Sequence, residues 1–169
     1  MIQGAREART ALFASQLTSA QLVRKCGGYL DDLISHRCTR HGVLLDVIGV
    51  CVLITGLSGS GKSECALDLV ARGHRLVADD VVEIRRRGED LVGQASEMIQ
   101  NLFEIRGLGV LDIAERYGVA ATRLHKRIEL HVNLETWQPG AEYDRVGLSE
   151  REEDILGIGL RSLTVPVQP

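Results

Sequence analysis

Val50-Cys51-Val52-Leu53-Ile54-Thr55-Gly56-Leu57-Ser58-Gly59-Ser60-Gly61-Lys62-Ser63-Glu64-Cys65-Ala66-Leu67-Asp68-Leu69-Val70 decides the reading of this chain. Its middle fits G-x-x-x-x-G-K-[ST], the phosphate-binding loop. Val50 to Thr55 read as a buried strand, and Glu64 to Val70 as a helix with its apolar positions on one face. A strand feeding a glycine-rich turn that opens a helix aims several backbone N–H groups at one spot. The helix N-terminus adds partial positive charge there. The phosphate-binding residues are Gly56, Leu57, Ser58, Gly59, Ser60, Gly61, Lys62 and Ser63. Leu57 and Ser60 contribute through their backbone N–H groups. Lys62 reaches the terminal phosphates and the Ser63 hydroxyl ligates magnesium. The ligand expected is a nucleoside triphosphate or a related polyphosphate.

Outward from the loop, the upstream run Gly42 to Val47 joins the strand Val50–Thr55 through Ile48-Gly49, which reads as a hairpin. Downstream, His74 to Asp80 reads as a third strand and Val81 to Arg87 as a fourth. Gly88-Glu89-Asp90 turns the chain back into Leu91-Val92-Gly93. A short helix fits near Ser96 to Leu102. Lys126 to Leu134 alternates as one strand, with Ile128, Leu130, Val132 and Leu134 on one face and Arg127, Glu129, His131 and Asn133 on the other. Two more short strands fit Glu142 to Val146 and Ile158 to Val167. Ahead of all this, Ala5 to Leu17 looks helical, and a second helix runs from Thr18 or Ser19, as N-cap, to Leu33-Ile34. Gly27-Gly28 weakens its middle. The expected division is a helical appendage, 1–40, and a phosphate-loop catalytic domain, 41–169. The fold class is α/β, strand-rich with hairpins. It lacks the regular strand–helix alternation of a doubly wound nucleotide kinase.

The chain has 169 residues and a net charge of -3, so no global electrostatic attraction to nucleic acid or membrane surfaces is expected. No apolar run is long enough to span a bilayer. Cys26, Cys38, Cys51 and Cys65 form no C-x-x-C pair, so reduced thiols in a cytoplasmic protein are expected, with Cys51 and Cys65 in the core. His36, His125 and His131 read as structural, and Arg85-Arg86-Arg87 as a solvated strand end.

Five separated motifs carry a family resemblance: His41-Gly42-Val43 through Val50; the loop to Glu64; Arg72-Gly73-His74 through Asp79-Asp80; Glu104-Ile105-Arg106-Gly107-Leu108-Gly109; and Tyr143-Asp144-Arg145-Val146-Gly147. In this order they resemble HPr kinase/phosphorylase, the bacterial serine kinase that modifies the phosphocarrier protein HPr, from about His41 to the C-terminus. The resemblance implies a phosphate-loop domain like the nucleotide domain of phosphoenolpyruvate carboxykinase. It implies ATP and Mg2+ as reactants, HPr or a relative as partner, and a homo-oligomer, a hexamer in the family. It also implies a reverse activity, in which inorganic phosphate attacks the phosphoserine and releases pyrophosphate.

An acid at a strand end beside the loop can take the proton of a serine hydroxyl. The resemblance gives this role to Asp80, with Asp79 adjacent; one base and one metal ligand is the other reading of the pair. By the same resemblance Glu104 is the second magnesium ligand, Arg145 neutralises charge developing on the transferred phosphoryl, and His41 is a catalytic histidine beside the acid. Family members carry a separate N-terminal domain and continue past the point matching Pro166-Val167-Gln168-Pro169 with a Gly-Arg-Asn segment and terminal helices. The expectation for these residues alone is therefore kinase activity with little phosphorolysis, and an assembly smaller than a hexamer. Two other classes stay open: a small-molecule phosphate-loop kinase, and a catalytically silent nucleotide-sensing module.

Overall fold

The computed structural model describes residues 2–105, 107, 109–138 and 151–167. They fall into two units, Met1–Ser35 and His36–Pro169. The first holds α1 (Ile2–Glu7) and α2 (Ser19–Ile34). The expected first helix to Leu17 is cut short. Arg9 enters the left-handed region at φ 50°, and the Thr10 N–H closes the helix end onto the Ala5 carbonyl at 3.0 Å. The second helix is continuous through Gly27-Gly28. Its start is a reciprocal cap: the Gln21 N–H donates to Thr18 Oγ1 at 3.3 Å, and the Thr18 N–H donates to Gln21 Oε1 at 3.0 Å.

The second unit contains β1 (Arg37–His41), β2 (Val43–Val47), β3 (Val50–Gly56), α3 (Lys62–Ala71), β4 (Arg75–Ala78), β5 (Val81–Arg87) and β6 (Asp90–Gln94). After these come β7 (Leu102–Ile105), β8 (Gly109–Asp112), α4 (Ile113–Tyr117), β9 (His125–Arg127), β10 (Leu130–Thr136), β11 (Arg151–Ile155) and β12 (Ile158–Val167). A four-stranded sheet has the order β1-β5-β6-β9, and a six-stranded sheet the order β11-β12-β10-β3-β2-β4. In the larger sheet β10 runs parallel to β3 and to β12, and the other pairs are antiparallel. A separate hairpin pairs β7 with β8.

The larger sheet is buried on both faces, which explains why Val43, Leu44 and Leu45 are all apolar with no alternation. Leu44, Cys51 and Leu53 pack with Val82, Ile84 and Leu91 of the smaller sheet. Their neighbours Val43, Leu45 and Ile54 pack on the other face with Ala66 and Val70 of α3 and with Phe103 and Ile113. Burial pushes the Cys51 thiol up to about 12, so it behaves as an apolar residue. Cys65, expected in the core, is exposed, because it lies on the outer side of α3. No helix is long and apolar enough to cross a membrane among the described residues.

The hairpin at Ile48-Gly49 forms as expected. Both residues have positive φ, 51° and 89°, the twist that a two-residue antiparallel link requires. Beneath it Asp46 is buried and accepts from Arg123 Nη1 at 2.8 Å and Lys126 Nζ at 2.9 Å. Burial alone would raise its carboxyl. The hydrogen bonds and charges of these two cations outweigh that and hold it below the ordinary carboxylate value. Lys126 Nζ also donates to the Gly49 carbonyl.

The compact unit begins at His36, and Arg37–His41 within it pairs with Val81–Arg85. Several expectations about single elements are corrected. The single strand from Lys126 to Leu134 is two strands. The Ile128 N–H donates to Leu91 at 2.8 Å and the Glu129 N–H to Cys51 at 2.9 Å, so the chain crosses from one sheet to the other at these two residues. The helix expected near Ser96 to Leu102 is one 3-10 turn, Glu97–Ile99. Glu104 and Ile105 lie in β7. β8, α4 and β11 were not expected. Arg86 is not a free strand end: its Nη1 donates to the Leu156 carbonyl at 3.1 Å and its Nε to Gly88 at 3.0 Å. The strand expected at Glu142 to Val146 lies outside the described residues.

Candidate functional site

β3 ends at Gly56 and α3 starts at Lys62, so the glycine-rich segment is a tight loop at the C-terminal end of a central strand. Gly56, Gly59 and Gly61 have φ 145°, 83° and 85°, values that side-chain-bearing residues rarely take. Gly61 sits at the N-cap of α3 with no side-chain hydrogen bond capping the helix. Lys62 is buried, and its Nζ donates to the Gly56 carbonyl at 2.9 Å and the Leu57 carbonyl at 2.8 Å. Its ammonium is thereby held over the loop.

Beside the loop lies a cavity of about 160 Å³. Ser58, Gly59, Gly61, Lys62 and Ser63 line it together with His41, Asp79, Asp80, Phe103 and Glu104. Four separated stretches of sequence thus meet at one place. Gly56, Leu57 and Ser60 do not line this cavity. Leu57 is largely exposed, and the Ser60 N–H is used inside the loop, donating to the Leu57 carbonyl at 3.2 Å. Arg145 lies outside the described residues.

The two aspartates divide because the backbone turns between them. β4 stops at Ala78, and the Val81 N–H donates to the Asp79 carbonyl at 2.7 Å, closing a three-residue turn on Asp80 at φ 62°. A non-glycine residue in that region is strained, and such strain concentrates at functional positions. Asp79 turns inward and is buried, and its Oδ2 accepts the Glu104 N–H at 2.9 Å. Burial raises its carboxyl above the usual value; the N–H groups of Glu104 and Asp80 oppose this, and the neighbouring Asp80 and Glu104 charges reinforce it. Asp80 stays exposed and its Oδ1 lies 3.0 Å from His41 Nδ1. The Gly42 N–H donates to the Asp80 carbonyl at 3.0 Å, so the end of β1 is tied to the aspartate turn.

Ser63 and Glu104 face the same cavity. Among the described residues no group of three or more His, Cys, Asp and Glu converges on a metal site. That donor set suits magnesium, which keeps several waters and takes one or two protein groups plus phosphate oxygens. The bond from Asp79 to the backbone of Glu104 was missed by sequence reasoning. No local signal marks it, since the partners are 25 residues apart.

The strand, glycine loop and buried lysine define a phosphate-loop protein. The family model for the HPr Serine kinase C-terminal domain matches residues 32–169. The chain belongs to that family. It is 49% identical to the HPr kinase/phosphorylase of Geobacillus kaustophilus (strain HTA426) and 48% identical to that of Geobacillus sp. (strain WCH70), over its whole length and 55% of theirs. It therefore spans about half the length of these relatives. The solved structure of the Hpr(Ser) kinase/phosphatase from Coxiella burnetii matches with a TM-score of 0.71 and 31% identity, over 77% of this chain and 86% of that one.

Proposed function

We propose that this chain is the catalytic part of an ATP-dependent serine kinase acting on HPr or a closely related phosphocarrier protein. The observation that carries the reading is the pairing of Asp80 with His41 in the cavity that Lys62 and Ser63 also line. Phosphoryl transfer needs positioning and charge neutralisation more than covalent chemistry. Lys62 holds the terminal phosphates. Ser63 and Glu104 hold magnesium, which supplies neutralisation of phosphate charge when bound. The Asp80 carboxylate takes the proton of the attacking serine hydroxyl, and His41 orients that carboxylate. Arg145, by family pattern, neutralises charge on the moving group.

The same residues serve phosphorolysis, the second activity in the relatives' name. An oxygen of inorganic phosphate attacks the phosphoserine phosphorus and gives its proton to Asp80; the bond from phosphorus to the serine oxygen breaks, pyrophosphate forms in the loop, and Asp80 passes the proton to the serine oxygen. The fold reading that goes with this is the nucleotide domain of phosphoenolpyruvate carboxykinase. Unpaired thiols at Cys26, Cys38, Cys51 and Cys65 support a reducing, cytoplasmic setting.

The test is transfer from radiolabelled ATP, with magnesium, to purified HPr and to a panel of small hydroxyl metabolites. Label on an HPr serine is the expected result. Label on a metabolite alone would turn the reading to a small-molecule kinase, and nucleotide binding with no transfer would turn it to a sensing module.

A further inference from the structure

His131 lies outside the cavity described above, yet it is buried and fully hydrogen-bonded through both ring nitrogens. Its Nε2 is 2.7 Å from Thr55 Oγ1, and its Nδ1 is 2.8 Å from Ser162 Oγ. The three residues sit on adjacent parallel strands: His131 pairs with Leu53 of β3 on one side and with Ser162 of β12 on the other. Thr55 Oγ1 also lies 3.3 Å from Asn133 Oδ1. Burial favours the neutral ring; the charge of Glu153 on β11 opposes it and that of Arg40 on β1 adds to it.

Thr55 is the residue immediately before Gly56. The loop leaves the sheet at that point, and the Gly56 backbone is pressed against β10. A Cβ there would stand 2.4 Å from the Leu134 carbonyl oxygen. The other tether of the loop entrance is Lys62 Nζ on the Gly56 and Leu57 carbonyls. A bound polyphosphate competes for the donors of Lys62, and Thr55 is a second side-chain tether at the entrance.

We infer that His131 is a positioning residue for nucleotide binding: through Thr55 it fixes the strand end from which the phosphate loop springs. The inference rests on the reading of Gly56 to Ser63 as a phosphate-binding loop. It assigns work to a histidine that sequence reasoning takes as structural.

The test measures binding of ATP with magnesium by calorimetry on the full chain, alongside thermal unfolding and transfer kinetics. Thr55→Val removes the hydroxyl at constant shape, Thr55→Ser keeps it, and His131→Leu removes the ring. Thr55→Val and His131→Leu should each weaken ATP binding about tenfold, the loss of one buried hydrogen bond, and the double variant no more than the weaker single. The KM for ATP should rise while kcat stays within about twofold. Thr55→Ser should bind within about twofold of the parent. If His131→Leu does not fold, the Thr55 pair decides the matter. Unaltered ATP binding in a folded Thr55→Val protein overturns the inference, as does a Thr55→Ser protein as weak as Thr55→Val. Lys62→Ala is the control: if it binds ATP like the parent, the phosphate-loop reading fails. If it loses binding while Thr55→Val does not, the inference alone fails.

Discussion

Two adjacent carboxylates acquire different properties because one backbone angle sends them to different places. Asp80 at φ 62° projects its carboxylate toward His41, while Asp79 is buried against the Glu104 amide. Asp80→Asn should stop phosphoryl transfer and leave ATP binding with magnesium nearly intact, since a proton acceptor is lost and the phosphate cradle is not. Asp79→Ala should act differently. It leaves the Glu104 N–H unpaired and costs about 1–3 kcal/mol of stability. It should also raise the magnesium requirement, as Glu104→Gln should on the proposed role of Glu104, because the strand carrying Glu104 loosens. Transfer rates, ATP affinity and denaturant midpoints measured on the three variants separate these roles. Wild-type transfer by Asp80→Asn, with loss in Asp79→Asn, would mean that the base is Asp79.

At the level of elements, the site depends on close backbone approach where β2, β3 and β10 meet the loop. A Cβ on Gly42 would lie 2.4 Å from the Ile54 carbonyl oxygen, and one on Gly56 equally close to that of Leu134. Both obstacles are main chain in the middle of a sheet and cannot swing aside. Gly42→Ala and Gly56→Ala should each destabilise by about 1–3 kcal/mol or more, and Gly56→Ala should also lose ATP binding. Gly88→Ala is the comparison. It has φ 61° but nothing within 4 Å, so it should cost about 1 kcal/mol from backbone strain and leave binding unchanged. Thermal unfolding and calorimetry on the three proteins check the distinction. A Gly56→Ala protein with parent affinity would show that the loop tolerates displacement from β10.

On the scale of the whole molecule, the buried carboxylate of Asp46 joins β2 to the segment carrying Arg123 and Lys126, 77 and 80 residues away. Asp46→Ala leaves the part-buried Lys126 without its counter-charge. A loss of about 1–3 kcal/mol is expected, read from the urea midpoint. Acid sensitivity follows from the same placement. The folded carboxyl of Asp46 titrates below its unfolded value, so its contribution is complete above about pH 4 and is lost as pH falls through the folded value. The folded ring of His131 also titrates below its unfolded value. Its contribution is complete above about pH 6.5, and declines as pH falls from there toward the folded value, because the unfolded chain takes the proton first. Stability measured from pH 7 down to 5 should therefore decline, and His131→Gln should flatten that decline. An unchanged slope would assign the acid sensitivity to other groups.

What the sequence determined by itself is local. Glycines at 56, 59 and 61 with Lys62 specify the loop, because only those residue types supply its backbone angles and its buried charge. The positive-φ turn at Ile48-Gly49, the strands on either side of it, the hairpin through Gly88 and the cap at Thr18 follow from short-range propensity and patterning. Arg72-Gly73-His74 was legible as a motif, and its structural part is a helix stop: Gly73 at φ 94°, with the His74 N–H on the Leu69 carbonyl at 3.1 Å. Tertiary structure alone decided the rest. A run with unbroken alternation from Lys126 to Leu134 changes sheets at Ile128-Glu129, because the partners of its two halves are Leu91 and Cys51. Arg37–His41 becomes a strand because β5 offers it an edge. Asp79 and Asp80 part ways at a turn closed by Val81, and His131 meets Thr55 from 76 residues away. Hydrogen-bond partners that distant leave no periodic trace in the chain, so the placement of these groups exists only once the sheets have assembled.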